Sequence, residues 1–143
     1  DRHLAVNFVT PLMLTRAAAA AGTRAVVNLI DQRIVNPPID QAAYTASKLA
    51  LGASTKVLAR AFAPMRVNAV APGLTLPGPD YAAGHLPALT AMMPLGRLPD
   101  PADVADAVVY LAGADAVTGQ TLYVDGGAAM ESFRRDFVHL ASD

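Results

Sequence analysis

Arg66-Val-Asn-Ala-Val-Ala71, closed by Pro72-Gly73, is the stretch on which the fold turns. Small and β-branched apolar residues follow one another with little polar interruption, and a turn dipeptide ends the run. That is the signature of a strand covered on both faces in a parallel sheet. Arg24-Ala-Val-Val-Asn-Leu-Ile30 repeats it upstream and ends on Asp31. Between the two, Asn36-Pro37-Pro38 enforces a loop, and Gln41 to Phe62 has the content and length of a helix closed by Ala63-Pro64. Strand, long crossover helix, strand is a β-α-β unit, and its two strands are expected to lie parallel and adjacent.

Outward from this unit the alternation continues. Leu4 to Ala21, rich in alanine and stopped by Gly22, reads as a helix buried on several sides. Residues 74–99, rich in proline and glycine, suit an irregular functional loop or lid containing a short helix. Within it Tyr81, His85 and Met92 are secondary candidates, and His85 reads as a solvated loop histidine. Asp100 can cap a helix that has Pro101 in its first turn and Val104, Val108 and Leu111 on one face. Thr121 to Val124 is a third strand, ended by Asp125-Gly126-Gly127, and 128–143 form a tail that either docks or stays disordered. The expected class is α/β with three parallel strands joined by crossover helices.

Composition narrows the function. The chain of 143 residues is 53% hydrophobic and 16% charged, which excludes intrinsic disorder, and its net charge of -1 lacks the basic excess of a nucleic-acid or membrane-surface binder. With no cysteine there is neither a disulfide framework nor a thiolate metal site, and the histidine spacing suits no metal. A cytoplasmic location is compatible with this. No apolar run approaches the roughly 18 residues of a membrane span. The chain opens without Met in a segment that already reads as helical, so an N-terminal portion is expected upstream or in a partner.

In open α/β sheets ligands gather at the carboxyl ends of strands, where Asp31 and Pro72-Gly73 fall. Tyr44 and Lys48, four apart in the crossover helix, project from one face. A neighbouring ammonium is expected to favour phenolate and lower the phenol's pKa, making Tyr44 a usable acid.

Taken together, Tyr44-Thr-Ala-Ser-Lys48, the strand Val26-Val-Asn-Leu-Ile30 before it, Arg66 to Gly73 after it, and Val117-Thr-Gly-Gln-Thr-Leu-Tyr-Val-Asp-Gly-Gly127 resemble the short-chain dehydrogenase/reductase family. The resemblance runs from about Val6 to Gly127 and covers the C-terminal half of that family's Rossmann-like, doubly wound sheet. It leaves out the glycine-rich nucleotide loop, so residues 1–143 read as a single partial domain, the catalytic half. The resemblance implies NADP as cofactor, with NAD as the other option. It implies Tyr44 as proton donor, Lys48 on the nicotinamide ribose, Asn7 anchoring a water near the lysine, and Pro72, Gly73, Leu74 and Thr75 against the nicotinamide carboxamide. It further implies a homotetramer built through Leu4 to Ala21 and Gln41 to Phe62.

One position departs from the family pattern. Asp31, thirteen residues before Tyr44, stands where most members carry a serine that orients a substrate carbonyl. An ionised carboxylate donates no hydrogen bond and opposes the negative charge that develops on a ketone oxygen. Beside a C=N bond it stabilises the protonated form instead. This arrangement is similar to pteridine reductases and their dihydrofolate-reducing relatives, which implies a pterin-type small-molecule substrate. The alternatives are a 3-oxoacyl or other carbonyl reductase, and a non-catalytic fragment or structural subunit. In a further alternative Asp31 merely caps a loop or pairs with Arg33.

Overall fold

The computed structural model describes residues 2–81 and 84–140. Residues 82 and 83 of the expected loop and 141–143 of the expected tail lie outside them. Three strands, β1 (Ala25–Leu29), β2 (Arg66–Pro72) and β3 (Thr121–Val124), form one parallel sheet in the order β1-β2-β3. The register sets Ala25 opposite Arg66 and Ala69 opposite Thr121. The long crossover helix between β1 and β2 is Ala42–Ala61, so the expected β-α-β unit is present.

The opening helical segment runs in three stretches of two windings. An α-helical turn, α1 (Arg2–Leu4), passes through a π-helical stretch at Ala5–Val9 into α2 (Thr10–Ala20). Uniform α-winding would need an N–H at residue 11 for the carbonyl of Asn7, and Pro11 has none. Just before it, Thr10 donates both its N–H and its hydroxyl (2.9 Å) to the carbonyl of Ala5. Such π-turns recur at functional sites, and this one carries Asn7.

The remaining helices are α3 (Ala42–Ala61), α4 (His85–Met92), α5 (Pro101–Gly113) and α6 (Phe137–Leu140). Asp100 caps α5 as expected and does more. Its carboxylate accepts from the N–H groups of Ala102 and Asp103, while the Asp103 carboxylate accepts from the N–H of Asp100, closing a capping box.

Alternation along β2 sorts the core into two layers. Val67, Ala69 and Ala71 pack toward α2 and α3 with Leu51, Leu58 and Met65. Val70 packs on the other face with Ala107 and Leu111 of α5. The polar residues that open this strand are tied down rather than solvated. Arg66 donates to the carbonyls of Leu111 (2.7 Å) and Ala112 (2.6 Å) at the end of α5, where a cation meets the negative helix terminus. Fully buried Asn68 donates to the carbonyl of Val117 and accepts from the N–H of Gln120, fixing the loop into β3.

After β3 the chain turns back across the carboxyl ends of the strands. Asp125 makes that corner by accepting from the N–H groups of Gly127 (2.9 Å) and Ala129 (2.7 Å), and Gly126 and Gly127 supply positive φ of 67° and 93°. The described part of the tail is docked. Asn36 donates to the carbonyls of Ala129 and Glu131, Ile39 donates its N–H to the carbonyl of Arg134, and Asp40 accepts from the N–H of Asp136. Phe137 joins Leu89, Met93 and Ala128 in a third apolar cluster, against which Tyr81, Leu74 and Phe133 pack.

Candidate active site

Sheet and helix geometry bring Asp31, Tyr44 and Lys48 together at the carboxyl end of β1. Asp31 follows that strand and caps a 3-10 turn over Gln32–Ile34. Gly52 of α3 lets the turn lie close, since a Cβ there would stand 2.8 Å from Ile34 Cδ1. Asp31 Oδ1 accepts from the N–H of Arg33 at 2.9 Å and lies 3.3 Å from Arg33 Nε. The capping and pairing roles considered for Asp31 are therefore both real, and both fall on Oδ1. The second oxygen, Oδ2, accepts the Tyr44 hydroxyl at 2.9 Å.

Lys48 extends from α3 so that Nζ donates to the carbonyl of Leu29 at 2.9 Å and lies 5.9 Å from the Tyr44 ring centroid. Burial holds its pKa below the ordinary lysine value, and Arg33 adds to this against the opposing pull of Asp31. The expectation that Lys48 makes the Tyr44 phenol more acidic is reversed in this structure. Burial first, and then the Asp31 carboxylate as a charge and as hydrogen-bond acceptor, push the phenol well above its ordinary range, with only Arg33 opposing. An anion in contact with the hydroxyl outweighs an ammonium that is occupied with a carbonyl.

Asn7 faces the same helix from the π-turn, and its amide donates to Ser47 Oγ at 3.1 Å, while Ser47 donates to the carbonyl of Tyr44 at 2.6 Å. It is thus linked to α3 through Ser47. Pro72, Gly73, Leu74 and Thr75 line one wall of a cleft of about 320 Å³. The turn is held tight because a Cβ on Gly73 would come within 2.8 Å of Asp125 Cα, and Thr75 Oγ1 donates back to the carbonyl of Gly73. Asp31, Arg33 and Tyr44 form the opposite side, and Tyr81 and Phe137 complete the lining. The volume falls at the lower end of the range usual for small-molecule sites.

Three further residues contribute, of which Phe137 had no signal in the sequence. Tyr81, only a secondary candidate there, reaches the cleft, and burial foremost, with Asp136 next, pushes its phenol up to about 12. Phe137 arrives from the tail. Arg33, 14% exposed, sits with its guanidinium carbon 4.8 Å from the Tyr44 ring centroid and with Nη2 2.8 Å from Asp136. His85 also departs from the expectation of a solvated residue, since its Nδ1 is buried. Among the described residues no group of histidine, aspartate and glutamate is arranged to hold a metal, and no helix is long and apolar enough to cross a membrane.

Comparison with known proteins points the same way. Residues 1–129 match the family model described as enoyl-(acyl carrier protein) reductase. The mouse (3R)-3-hydroxyacyl-CoA dehydrogenase is 35% identical over 146 residues, covering 91% of this chain and 54% of that protein. Carbonyl reductase family member 4 of Danio rerio is 42% identical over 106 residues, covering 72% and 44%. Among solved structures, FolM alternative dihydrofolate reductase 1 from Brucella canis, complexed with NADP, superimposes with a TM-score of 0.87 at 36% identity over 93% of this chain and 55% of that one. A small-chain dehydrogenase in complex with NADPH gives 0.79 at 25% identity, over 87% and 61%. The chain spans about half the length of the curated relatives it matches.

Proposed function

Since the chain belongs to the short-chain dehydrogenase/reductase family, we propose that it is the catalytic half of an NADP-dependent reductase acting on the C=N bond of a dihydropterin or dihydrofolate. The observation that carries this reading is the Tyr44 hydroxyl donating to Asp31 Oδ2 at 2.9 Å at the rim of the sheet. A carbonyl reductase needs a second hydrogen-bond donor at that position, and a carboxylate is the wrong sign for it. A ring nitrogen that must gain a proton as its carbon gains hydride is served by an anion beside a phenol.

The residues present fit the nicotinamide half of the cofactor. Lys48 supplies an ammonium on the same helix face as Tyr44, a donor suited to ribose hydroxyls, and Pro72 to Thr75 form the facing wall. NADPH, when bound, supplies the hydride. Tyr44, kept protonated by burial and by Asp31, holds the proton to be delivered to nitrogen. Asp31 orients that hydroxyl and balances the positive charge that develops on the ring. Asn7 steadies α3 through Ser47. NADP is favoured over NAD by the structural neighbours complexed with NADP and NADPH.

A 3-oxoacyl or other carbonyl substrate is the second reading, favoured by the names of relatives at 35% and 42% identity. The glycine-rich nucleotide loop would come from sequence upstream of Asp1 or from a second polypeptide. Homotetramer assembly through the first helical segment and α3 accords with exposed Val9 and Met13 on one and Val57 on the other. A cytoplasmic location accords with the lack of cysteine. The deciding experiment measures NADPH oxidation by the complete polypeptide with dihydrobiopterin, dihydrofolate and acetoacetyl thioesters. Turnover of either of the first two supports the proposal, and turnover of the thioester alone removes it.

A further inference from the structure

Beside the site, the reaction above leaves unused one largely covered charge, Arg33, whose side chain is 14% exposed. Its guanidinium is held on three sides by three segments of chain. Nε lies 3.3 Å from Asp31 Oδ1, Nη1 donates to Gln41 Oε1 at 3.3 Å, and Nη2 lies 2.8 Å from Asp136 Oδ2. The carbon of the same group lies over the Tyr44 ring, 4.8 Å from its centroid. Gln41 reaches its place from a left-handed backbone conformation, φ 55° and ψ 42°, which a non-glycine residue adopts only at a cost. Asp136 is 4% exposed and has its own N–H tied to Asp40. Burying an arginine between two carboxylates is expensive unless its nitrogens find partners; here Nη1 and Nη2 have Gln41 and Asp136, while Nε stands at ion-pair distance from Asp31 without a hydrogen bond.

We infer that Arg33 is the positioning residue of this site: its guanidinium, clamped by Gln41 and by Asp136 of the C-terminal segment, occupies Asp31 Oδ1 and leaves Oδ2 turned to the Tyr44 hydroxyl. The inference rests on the reading of Asp31 and Tyr44 as the proton-handling pair. A single carboxylate that must face one hydroxyl has to be stopped from rotating; the Arg33 N–H holds Oδ1 at 2.9 Å, and a planar guanidinium anchored at Gln41 and Asp136 keeps its Nε charge beside the same oxygen, which a point charge on a flexible stem would not. The tail thereby becomes a structural partner of the catalytic carboxylate. The charged and titratable groups around the pair are Lys48 on the helix of Tyr44, Arg33 in the 3-10 turn, Asp136 in the tail, Tyr81 in the loop, and His3 of α1, whose ring meets that of Tyr44 edge-on at 5.9 Å.

The test compares Arg33→Gln, Arg33→Lys and Asp136→Asn in the complete polypeptide. Each is made both with Tyr44 and with difluorotyrosine at that position, whose more acidic phenol titrates while the protein is folded and is followed by ultraviolet absorbance. Arg33 opposes the rise in the Tyr44 pKa and Asp136 contributes to it. Arg33→Gln is therefore expected to move the titration to higher pH, and Asp136→Asn to move it to lower pH. A general loosening of the fold would move both the same way. In dihydropterin reduction Arg33→Gln and Arg33→Lys are each expected to lose at least tenfold in kcat with KM for NADPH unchanged. Opposite titration shifts with no rescue by lysine sustain the inference. Shifts in one direction, shifts below twofold in the acid constant, or full rescue by lysine overturn it. If Arg33→Gln fails to fold, the sign for Asp136→Asn and the Arg33→Lys kinetics decide. If the unsubstituted protein reduces no dihydropterin, the substrate reading falls while the titration still decides the role of Arg33.

Discussion

Replacing Asp31 by asparagine removes one negative charge and preserves the shape of the side chain and an acceptor for the Tyr44 hydroxyl. Ionising Tyr44 in the native site would put two negative charges close together, because the two oxygens already stand 2.9 Å apart. At about 4 Å and an effective dielectric constant of about 20 such a pair repels by about 4 kcal/mol. The cleft is open to water, and halving for screening leaves about 2 kcal/mol, or roughly thirtyfold in the phenol's acid constant. The sign is fixed, since losing an anion favours phenolate and the Tyr44 pKa falls. In Asp31→Asn carrying difluorotyrosine at position 44, the absorbance titration is expected to move to lower pH by that factor. The alkaline limb of the pH–rate profile follows it down, because the proton donor is lost earlier. Dihydropterin turnover should drop by about 10² to 10³, the usual value of one preorganised electrostatic contact, with carbonyl turnover spared. A titration moved by less than threefold, or moved to higher pH, would refute the claim that the carboxylate controls this phenol.

The other expectations are simpler. Tyr44→Phe should lower kcat for the preferred substrate by about 10² to 10⁴ with cofactor affinity little changed, as measured by steady-state kinetics and by quenching on NADPH binding. The folded-state pKa of Tyr44 lies above that of an unfolded phenol. Its contribution to stability is therefore complete below about pH 10 and lost as the pH rises through the folded value, so Tyr44→Phe should flatten the alkaline fall in melting temperature. Gly73→Ala drives a Cβ to 2.8 Å from Asp125 Cα and should lower both the melting temperature and NADPH affinity, because the turn and the corner after β3 must separate. Leu111→Ala opens a hole between α5 and Val70 and should cost about 2–5 kcal/mol in denaturant melts, with the site chemistry intact in the folded fraction.

The sheet was legible because its signals are local. β-branched runs ended by Ile30-Asp31, Pro72-Gly73 and Asp125-Gly126-Gly127 mark three strands whose ends share one rim, and the i,i+4 spacing of Tyr44 and Lys48 places both on one helix face. What stayed hidden depended on contacts distant in sequence. The pairing of Arg33 with nearby Asp31 can be raised from sequence, but its clamp by Asp136, more than a hundred residues away, cannot, since an arginine in a loop looks the same whether solvated or clamped. The sign of the Tyr44 shift was misread for the same reason. The spacing showed a lysine one turn away, but not that its ammonium is taken by the carbonyl of Leu29 while the Asp31 carboxylate touches the hydroxyl. The π-turn at Ala5–Val9 has one local signal, Pro11 inside a helical pattern.

The reversal of the chain at Asp125 reaches further than its few residues. Two hydrogen bonds to one carboxylate and two glycines set the course of the described residues that follow, which brings Phe137 to the cleft. A different side chain at position 137 would therefore change what the cleft admits while leaving Asp31 and Tyr44 beneath it in place.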